Sequence, residues 1–125
     1  VTLDSVSEVR RGPVFAFIMD TRRCAGAEEL ADGADLVVCE ATYLEADADL
    51  ASAHGHLTAA GAARLARDCG VGRLVLAHYS ERYDDEQAFA DEAAEVFPDV
   101  VAARDLTRVP FPPRSERLDR LSAAP

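Results

Sequence analysis

Three short apolar runs alternate with alanine-rich helical segments, and this alternation limits the chain to a small set of folds. The runs cover Val14 to Met19, Leu36 to Cys39 and Arg73 to Ala77. Apolar runs of this length, bounded by turn residues, are typical of buried strands. Strands that alternate with helices predict a layered α/β unit in which helices cover a sheet.

The segments between and after these runs predict the rest of the fold. Helices are predicted over Cys24 to Ala31, Thr58 to Cys69 and Asp84 to Phe97, the last ending at Pro98. The acidic, alanine-rich residues 43–55 predict a mobile segment with one helical turn.

The C-terminal part predicts two closing strands and then a tail. Val100 to Ala102 and Arg108 to Phe111 are the expected strands. We therefore expect one domain over residues 1–113 and a disordered, charged tail over residues 114–125.

Composition narrows the function classes. A chain of 125 residues, 49% of them hydrophobic, is expected to bury one core. A net charge of −10 argues against nucleic-acid binding by the surface of this chain alone. There is no apolar run of about 20 residues and no signal-peptide pattern, which predicts a cytoplasmic protein without a membrane span.

Cys24, Cys39 and Cys69 lack metal-site spacing and are expected to be reduced core residues.

Polar residues of metal-binding and proton-transfer types stand where the predicted strands end. Asp20 follows the first strand, Glu40 ends the second and His78 follows the third, while His56 precedes a helix. The carboxyl ends of parallel strands share one edge of a sheet, where α/β proteins build their sites. A carboxylate and an imidazole there suit Zn²⁺ or Mn²⁺, and Glu40 could orient His56 as a general acid.

Each of these residues has a simpler interpretation when taken alone. Asp20 could cap a turn, and His78 could be an ordinary core or surface histidine. His56 could be a solvated loop residue beside His54. Moreover, two or three ligands cannot complete a zinc site, so the chain is not expected to contain a whole dinuclear centre.

Five blocks carry a resemblance to a known family. FAFIMDTRRC, LVVCEATY, GHLTAAGAARLA, RLVLAHYSERY and VFPDVVAARDL resemble, in order and spacing, the second half of ribonuclease Z. That family contains the tRNA 3′-processing endonucleases of the metallo-β-lactamase superfamily. The resemblance spans roughly residues 8 to 111 and implies the second half of an αββα sandwich with a two-zinc site.

The resemblance also implies roles for individual residues. Asp20 matches the family's bridging aspartate, and His78 matches its last histidine ligand. His56 matches the histidine taken to be the proton donor, which Glu40 would orient, and Arg82 would help to hold phosphate or RNA. The implied substrate is precursor tRNA, cleaved by two-metal phosphodiester hydrolysis, and a homodimer is expected.

The sequence departs from the family in ways that limit this expectation. The His-x-His-x-Asp-His signature and the basic, glycine-rich arm that grips tRNA are absent. Cys39 replaces the first histidine of a His-Glu-Ala-Thr block, and Leu57 replaces the serine of a His-Ser-Thr block. We therefore expect a fragment that lacks the N-terminal half and is inactive alone. A hydrolase of a small phosphodiester or ester, or a non-catalytic remnant, are the alternatives.

Overall fold

The computed structural model describes residues 1–113, and the tail predicted over residues 114–125 lies outside the described residues. The helices and strands follow in chain order: α1 (Leu3–Val6), β1 (Phe15–Ile18), α2 (Ala25–Ala31), β2 (Leu36–Glu40), α3 (Ala48–His54), α4 (Ala59–Cys69), β3 (Arg73–Ala77), α5 (Gln87–Ala94) and β4 (Val100–Ala102). A short 3-10 turn, Glu45–Asp47, precedes α3.

The four strands form one parallel sheet in the order β1-β2-β3-β4. Cys39 of β2 lies in register with Ile18 of β1 and Leu76 of β3, so the three strands end almost level with one another. This arrangement confirms the α/β class and the predicted strands up to Ala102. It also brings the residues that follow β1, β2 and β3 to one edge of the sheet.

Alternate residues of the strands divide the sheet into two different faces. The face packed into the main core carries small and aliphatic side chains, namely Ala16, Ile18, Val37, Cys39, Leu74 and Leu76. Helices α2, α4 and α5 cover this face, with Leu65 and Phe89 among their fully buried side chains. On the other face Phe15 and Phe17 remain 53% and 61% exposed.

Helix α4 illustrates why local sequence predicts the elements well. Thr58 is its N-cap, and the threonine hydroxyl accepts a hydrogen bond from the backbone N–H of Gly61 at 2.9 Å. Gly70 ends it in the left-handed conformation at φ 61°. Helix α5 is shorter than predicted, since it ends at Ala94. Val96 and Phe97 lie in the turn that follows and pack against the core.

Two predicted elements differ in the structure. Residues 43–55 contain the 3-10 turn and all of α3, so they are more helical than expected. The strand predicted over Arg108 to Phe111 is wrong, since these residues have no strand structure. Side-chain contacts hold this segment instead: Phe111 meets the ring of Phe15 edge-on, and Arg73 Nη1 donates to the carbonyl of Pro110. Proline also removes a donor that a strand would need.

The cysteines are free, as expected, but only Cys39 is a buried core residue. Cys69 is half-buried and packs against the core, whereas Cys24 is exposed at the N-cap of α2, so the core assignment is wrong for Cys24. Burial raises the pKa of the Cys39 thiol to about 12, which keeps it protonated and unreactive. Among the described residues, no helix is long and apolar enough to cross a membrane.

Candidate metal centre

The loops that leave β1 and β3 hold Asp20 and His78 in an unusual backbone conformation. Asp20 has φ 50° and His78 has φ 63°, both in the left-handed region that most residues avoid. Each such residue costs about 1 kcal/mol relative to an extended or helical one. Backbone strain at two equivalent strand ends is typical of functional sites, where it fixes the direction of a side chain.

Asp20, His56 and His78 come together at this edge of the sheet. One potential ligand atom of each residue lies within 4.8 Å of those of the other two. Within residues 1–113, this is the one group of three potential metal ligands. Nε2 of His78 lies 3.2 Å from Oδ1 of Asp20, and the two imidazole rings are 5.6 Å apart between centroids. The side chain of Asp20 is 70% exposed, so the group is open to solvent.

Glu40 lies beneath this group and is completely buried. Its Oε1 accepts from the backbone N–H of Thr21 at 2.6 Å and lies 2.9 Å from Nδ1 of His56. Its Oε2 accepts from the Thr42 hydroxyl at 2.7 Å and from the backbone N–H of Leu57 at 3.1 Å. Because four donors converge on it, a buried carboxylate is tolerated here. Glu40 therefore ties the loop after β1 to the loop that carries His56.

Thr42 extends the network to the second histidine. Since its hydroxyl proton is donated to Glu40, Oγ1 can accept from Nδ1 of His78 at 3.0 Å. It also lies 3.3 Å from Nδ1 of His56, whose proton is donated to Glu40. Both imidazoles then carry a proton on Nδ1, and Nε2 is left to bind a metal ion or a proton. At His78 this nitrogen faces the Asp20 carboxylate, so two acceptor atoms meet unless a cation lies between them.

This donor set fits a zinc ion. Imidazole nitrogen and carboxylate oxygen, the atoms that His78 and Asp20 offer, are ligands that zinc accepts, and further ligands are needed to complete a site. The network from Glu40 through Thr42 supplies the hydrogen bonds that orient metal-binding histidines. The chemistry available to such a group is hydrolysis assisted by a metal ion.

The other residues singled out in the sequence lie farther from this group. Arg82 forms an ion pair with Asp47 at 3.4 Å, and within residues 1–113 its side chain makes no hydrogen bond or ion pair with the three potential ligands. Cys39 is buried in the core, while Leu57 contributes its backbone N–H to Glu40 and buries its side chain.

Thr42 is the contributor that sequence reasoning missed. It lies in the LVVCEATY block, and neither its residue type nor the resemblance predicts a role for it. A signal was present, because residues two apart along a strand face the same side and Glu40 is two residues before it. The contact with both histidines depends on their loops, and no local pattern shows it.

Comparison with known proteins places this geometry in a family. The family described as "Beta-lactamase superfamily domain" matches residues 6–79. The ribonuclease Z of Streptomyces coelicolor is 56% identical over 116 residues, and that of Nocardia farcinica is 54% identical over 117. In each case 91% of this chain is covered, but only 38% of the relative. The chain thus spans well under half the length of these curated relatives.

Solved structures give the same result for the fold. The metallo-beta-lactamase fold protein YhfI from Bacillus subtilis matches with a TM-score of 0.60 and 25% identity, over 67% of this chain and 34% of YhfI. The short form of human tRNase Z matches with a TM-score of 0.53 and 34% identity, over 70% of this chain and 28% of the human protein. The four-stranded sheet and its helices therefore correspond to part of each structure.

Proposed function

Since this chain belongs to the beta-lactamase superfamily and is a homologue of ribonuclease Z, we propose that it contributes to a zinc-dependent endoribonuclease. The reaction is removal of the 3′ trailer from precursor tRNA by phosphodiester hydrolysis. The observation that carries the proposal is the group of Asp20, His56 and His78, supported from below by Glu40. The remaining metal ligands come from a segment with a His-x-His-x-Asp-His signature, so the chain is inactive alone.

Asp20 and His78 are the residues that would hold zinc. Their side chains lie 3.2 Å apart, and their backbones are fixed by the same edge of the sheet. When bound, zinc supplies positive charge beside the scissile phosphate and lowers the pKa of water. The resemblance implies two zinc ions in the complete site.

His56 transfers a proton to the leaving 3′ oxygen. Its Nδ1 lies 2.9 Å from Glu40, which fixes the ring so that Nε2 is directed away from the buried carboxylate. The side chain of His56 is 20% exposed, enough to reach a substrate at the surface. A positioned histidine of this kind contributes roughly 10²–10⁴-fold to the rate of a hydrolysis.

Three further features belong to the proposal. Arg82 holds phosphate or RNA once its ion pair with Asp47 is exchanged for the substrate. The enzyme works as a homodimer, as the resemblance to ribonuclease Z implies, and its proposed location is the cytoplasm. The net charge of −10 fits an enzyme whose tRNA-gripping surface lies on another segment.

The test is cleavage of a 3′-extended precursor tRNA in zinc buffer. We expect no product from this chain alone, and product when it is mixed with a separately made segment carrying His-x-His-x-Asp-His. His78→Ala should abolish the activity of the mixture, and His56→Ala should lower it roughly 10²-fold or more.

His54→Ala is the matched control, because His54 is an exposed histidine two residues from His56 and outside the three-residue group. It should leave cleavage unchanged. Robust cleavage by the chain alone contradicts the assignment of ligands to another segment. A mixture that binds no zinc and cleaves nothing favours a hydrolase of small esters or a non-catalytic remnant.

A further inference from the structure

A groove of about 250 Å³ opens beside His56, between the loop after β1, helix α3 and the first turns of α4. Small side chains, including Ala48 and Ala51, line its inner part and leave room for a ligand. His56 belongs both to this groove and to the three-residue group, so the groove adjoins the candidate metal centre.

The groove is basic although the chain is acidic. Three arginines line it, Arg22, Arg23 and Arg64, against one carboxylate, Glu45. The chain as a whole carries a net charge of −10. A concentration of positive charge in a concave site on such a surface attracts anions, and guanidinium groups match phosphate in particular.

The three arginines differ in how closely they are already paired with carboxylates. Arg23 donates to Asp68 and to Glu28 at 2.8 Å each, and these hydrogen bonds raise its pKa. Arg64 makes a single, longer contact of 3.4 Å with Glu45. Arg22 has no acidic partner within ion-pair distance among residues 1–113.

The position of Arg22 is defined by its neighbours. It follows Asp20 and Thr21, whose backbone N–H is held by Glu40. A Cβ atom placed on Gly55 would lie 3.7 Å from Nη2 of Arg22, so the guanidinium lies over the loop that leads to His56. Arg22 therefore lies in the same groove as His56. Its guanidinium N–H groups are not paired with a carboxylate of residues 1–113.

From these contacts we infer that the groove binds a phosphate group of the RNA strand that neighbours the scissile phosphate, with Arg22 as its principal ligand and Arg64 as the second. This inference rests on the proposed function, because the RNA strand is the substrate proposed there. A neighbouring phosphate held in the groove fixes the strand while the scissile phosphate lies against Asp20, His56 and His78. Arg23 adds positive charge to the groove and keeps its ion pairs with Glu28 and Asp68.

The probe is uridine 3′,5′-bisphosphate, titrated into this chain by calorimetry in the presence of a chelator. Chelation removes any contribution from zinc, so binding reports on the groove alone. Arg22→Gln should weaken binding about tenfold or more, because a charge-assisted contact to phosphate is lost. The backbone amides of Ser52 and Gly61, which line the groove, should shift in NMR spectra on binding.

Arg108→Gln is the matched control, since Arg108 is exposed, lies outside the groove and also has no ion-pair partner among the described residues. It should alter binding less than twofold. Absence of binding to the unmodified chain, or equal weakening in both variants, overturns the inference. The proposed function is judged separately by tRNA cleavage in the mixture. Bisphosphate binding without cleavage refutes only that function, and cleavage without bisphosphate binding refutes only the groove.

Discussion

At the scale of single residues, Glu40 determines the geometry of the candidate centre. A fully buried carboxylate is stable here because it accepts four hydrogen bonds, two on each oxygen. Two of the donors are backbone N–H groups from loops far apart in the sequence. Loss of one carboxylate oxygen therefore affects the loops and the histidine together.

Glu40→Gln should destabilise the fold by about 2 kcal/mol and weaken zinc binding roughly 10- to 100-fold. The amide nitrogen cannot accept the two hydrogen bonds that one oxygen now receives. Urea unfolding and a zinc competition assay measure the two effects. Glu81→Gln, at an exposed glutamate, should change neither. Unchanged zinc affinity in Glu40→Gln contradicts a role for Glu40 in orienting His56.

Tyr79 provides a prediction for the effect of pH. Its hydroxyl donates to the carbonyls of Leu76 and Ala103, and burial raises its pKa from the usual 10 to about 12. A raised pKa means that the folded chain favours the neutral phenol. This stabilisation is complete below pH 10 and is lost as the pH rises through 12.

Tyr79→Phe should cost about 1 kcal/mol at pH 8. The variant should then lose less stability than the unmodified chain between pH 10 and pH 12. Urea unfolding at several pH values measures the difference. Tyr43→Phe, at a half-buried tyrosine, is the control and should follow the unmodified chain. Parallel curves for the unmodified chain and Tyr79→Phe would exclude this linkage.

At the scale of elements, the close approach of β2 and β3 depends on a glycine. A Cβ atom on Gly72, just before β3, would lie 2.5 Å from the backbone oxygen of Asp35 and 3.1 Å from Cγ of Pro112. The Asp35 oxygen cannot move freely, because it accepts from the backbone N–H of Arg73. A side chain at this position must therefore separate the two strands.

Gly72→Ala should destabilise the chain by about 2 kcal/mol or more, through overpacking against backbone. Gly26→Ala provides the matched comparison, since a Cβ atom there meets nothing within 4 Å and Gly26 lies inside helix α2. It should stabilise the chain by up to about 1 kcal/mol. Thermal unfolding measures both, and equal melting temperatures for the two variants would contradict this account of the strand junction.

At the scale of the whole molecule, the helices within residues 1–113 cover one face of the sheet. In the order β1-β2-β3-β4, right-handed connections place every connecting helix on the same side. Phe15, Phe17 and Phe111 remain between 46% and 61% exposed on or beside the opposite face. In the proposed complete enzyme, the second layer of the sandwich covers these rings.

Phe17→Ser should weaken association with the segment that carries His-x-His-x-Asp-His, about tenfold or more. The reason is that a phenylalanine ring would no longer be buried in the interface. Leu106→Ser, at an exposed leucine beyond β4 at the other edge of the sheet, is the control and should have little effect. Titration of the segment by fluorescence anisotropy measures both. If the two variants bind equally well, the segment does not cover this face.

The sequence by itself determined the three long strands, helix α4 and the residues at the strand ends. These features are local: apolar runs set the strands, Thr58 and Gly70 bound the helix, and Asp20 and His78 follow strands whose carboxyl ends must share an edge. The family resemblance rests on the same blocks, and comparison confirmed it.

Only the tertiary structure decided how these parts meet. His56 reaches the edge from a loop, and its distance from Asp20 and His78 depends on how α3 and α4 pack. The shared role of Thr42, the groove around Arg22 and the irregular course of residues 108–111 also depend on contacts between residues distant in sequence. Local patterns fix which element forms, whereas packing of the whole core fixes which side chains come within reach of one another.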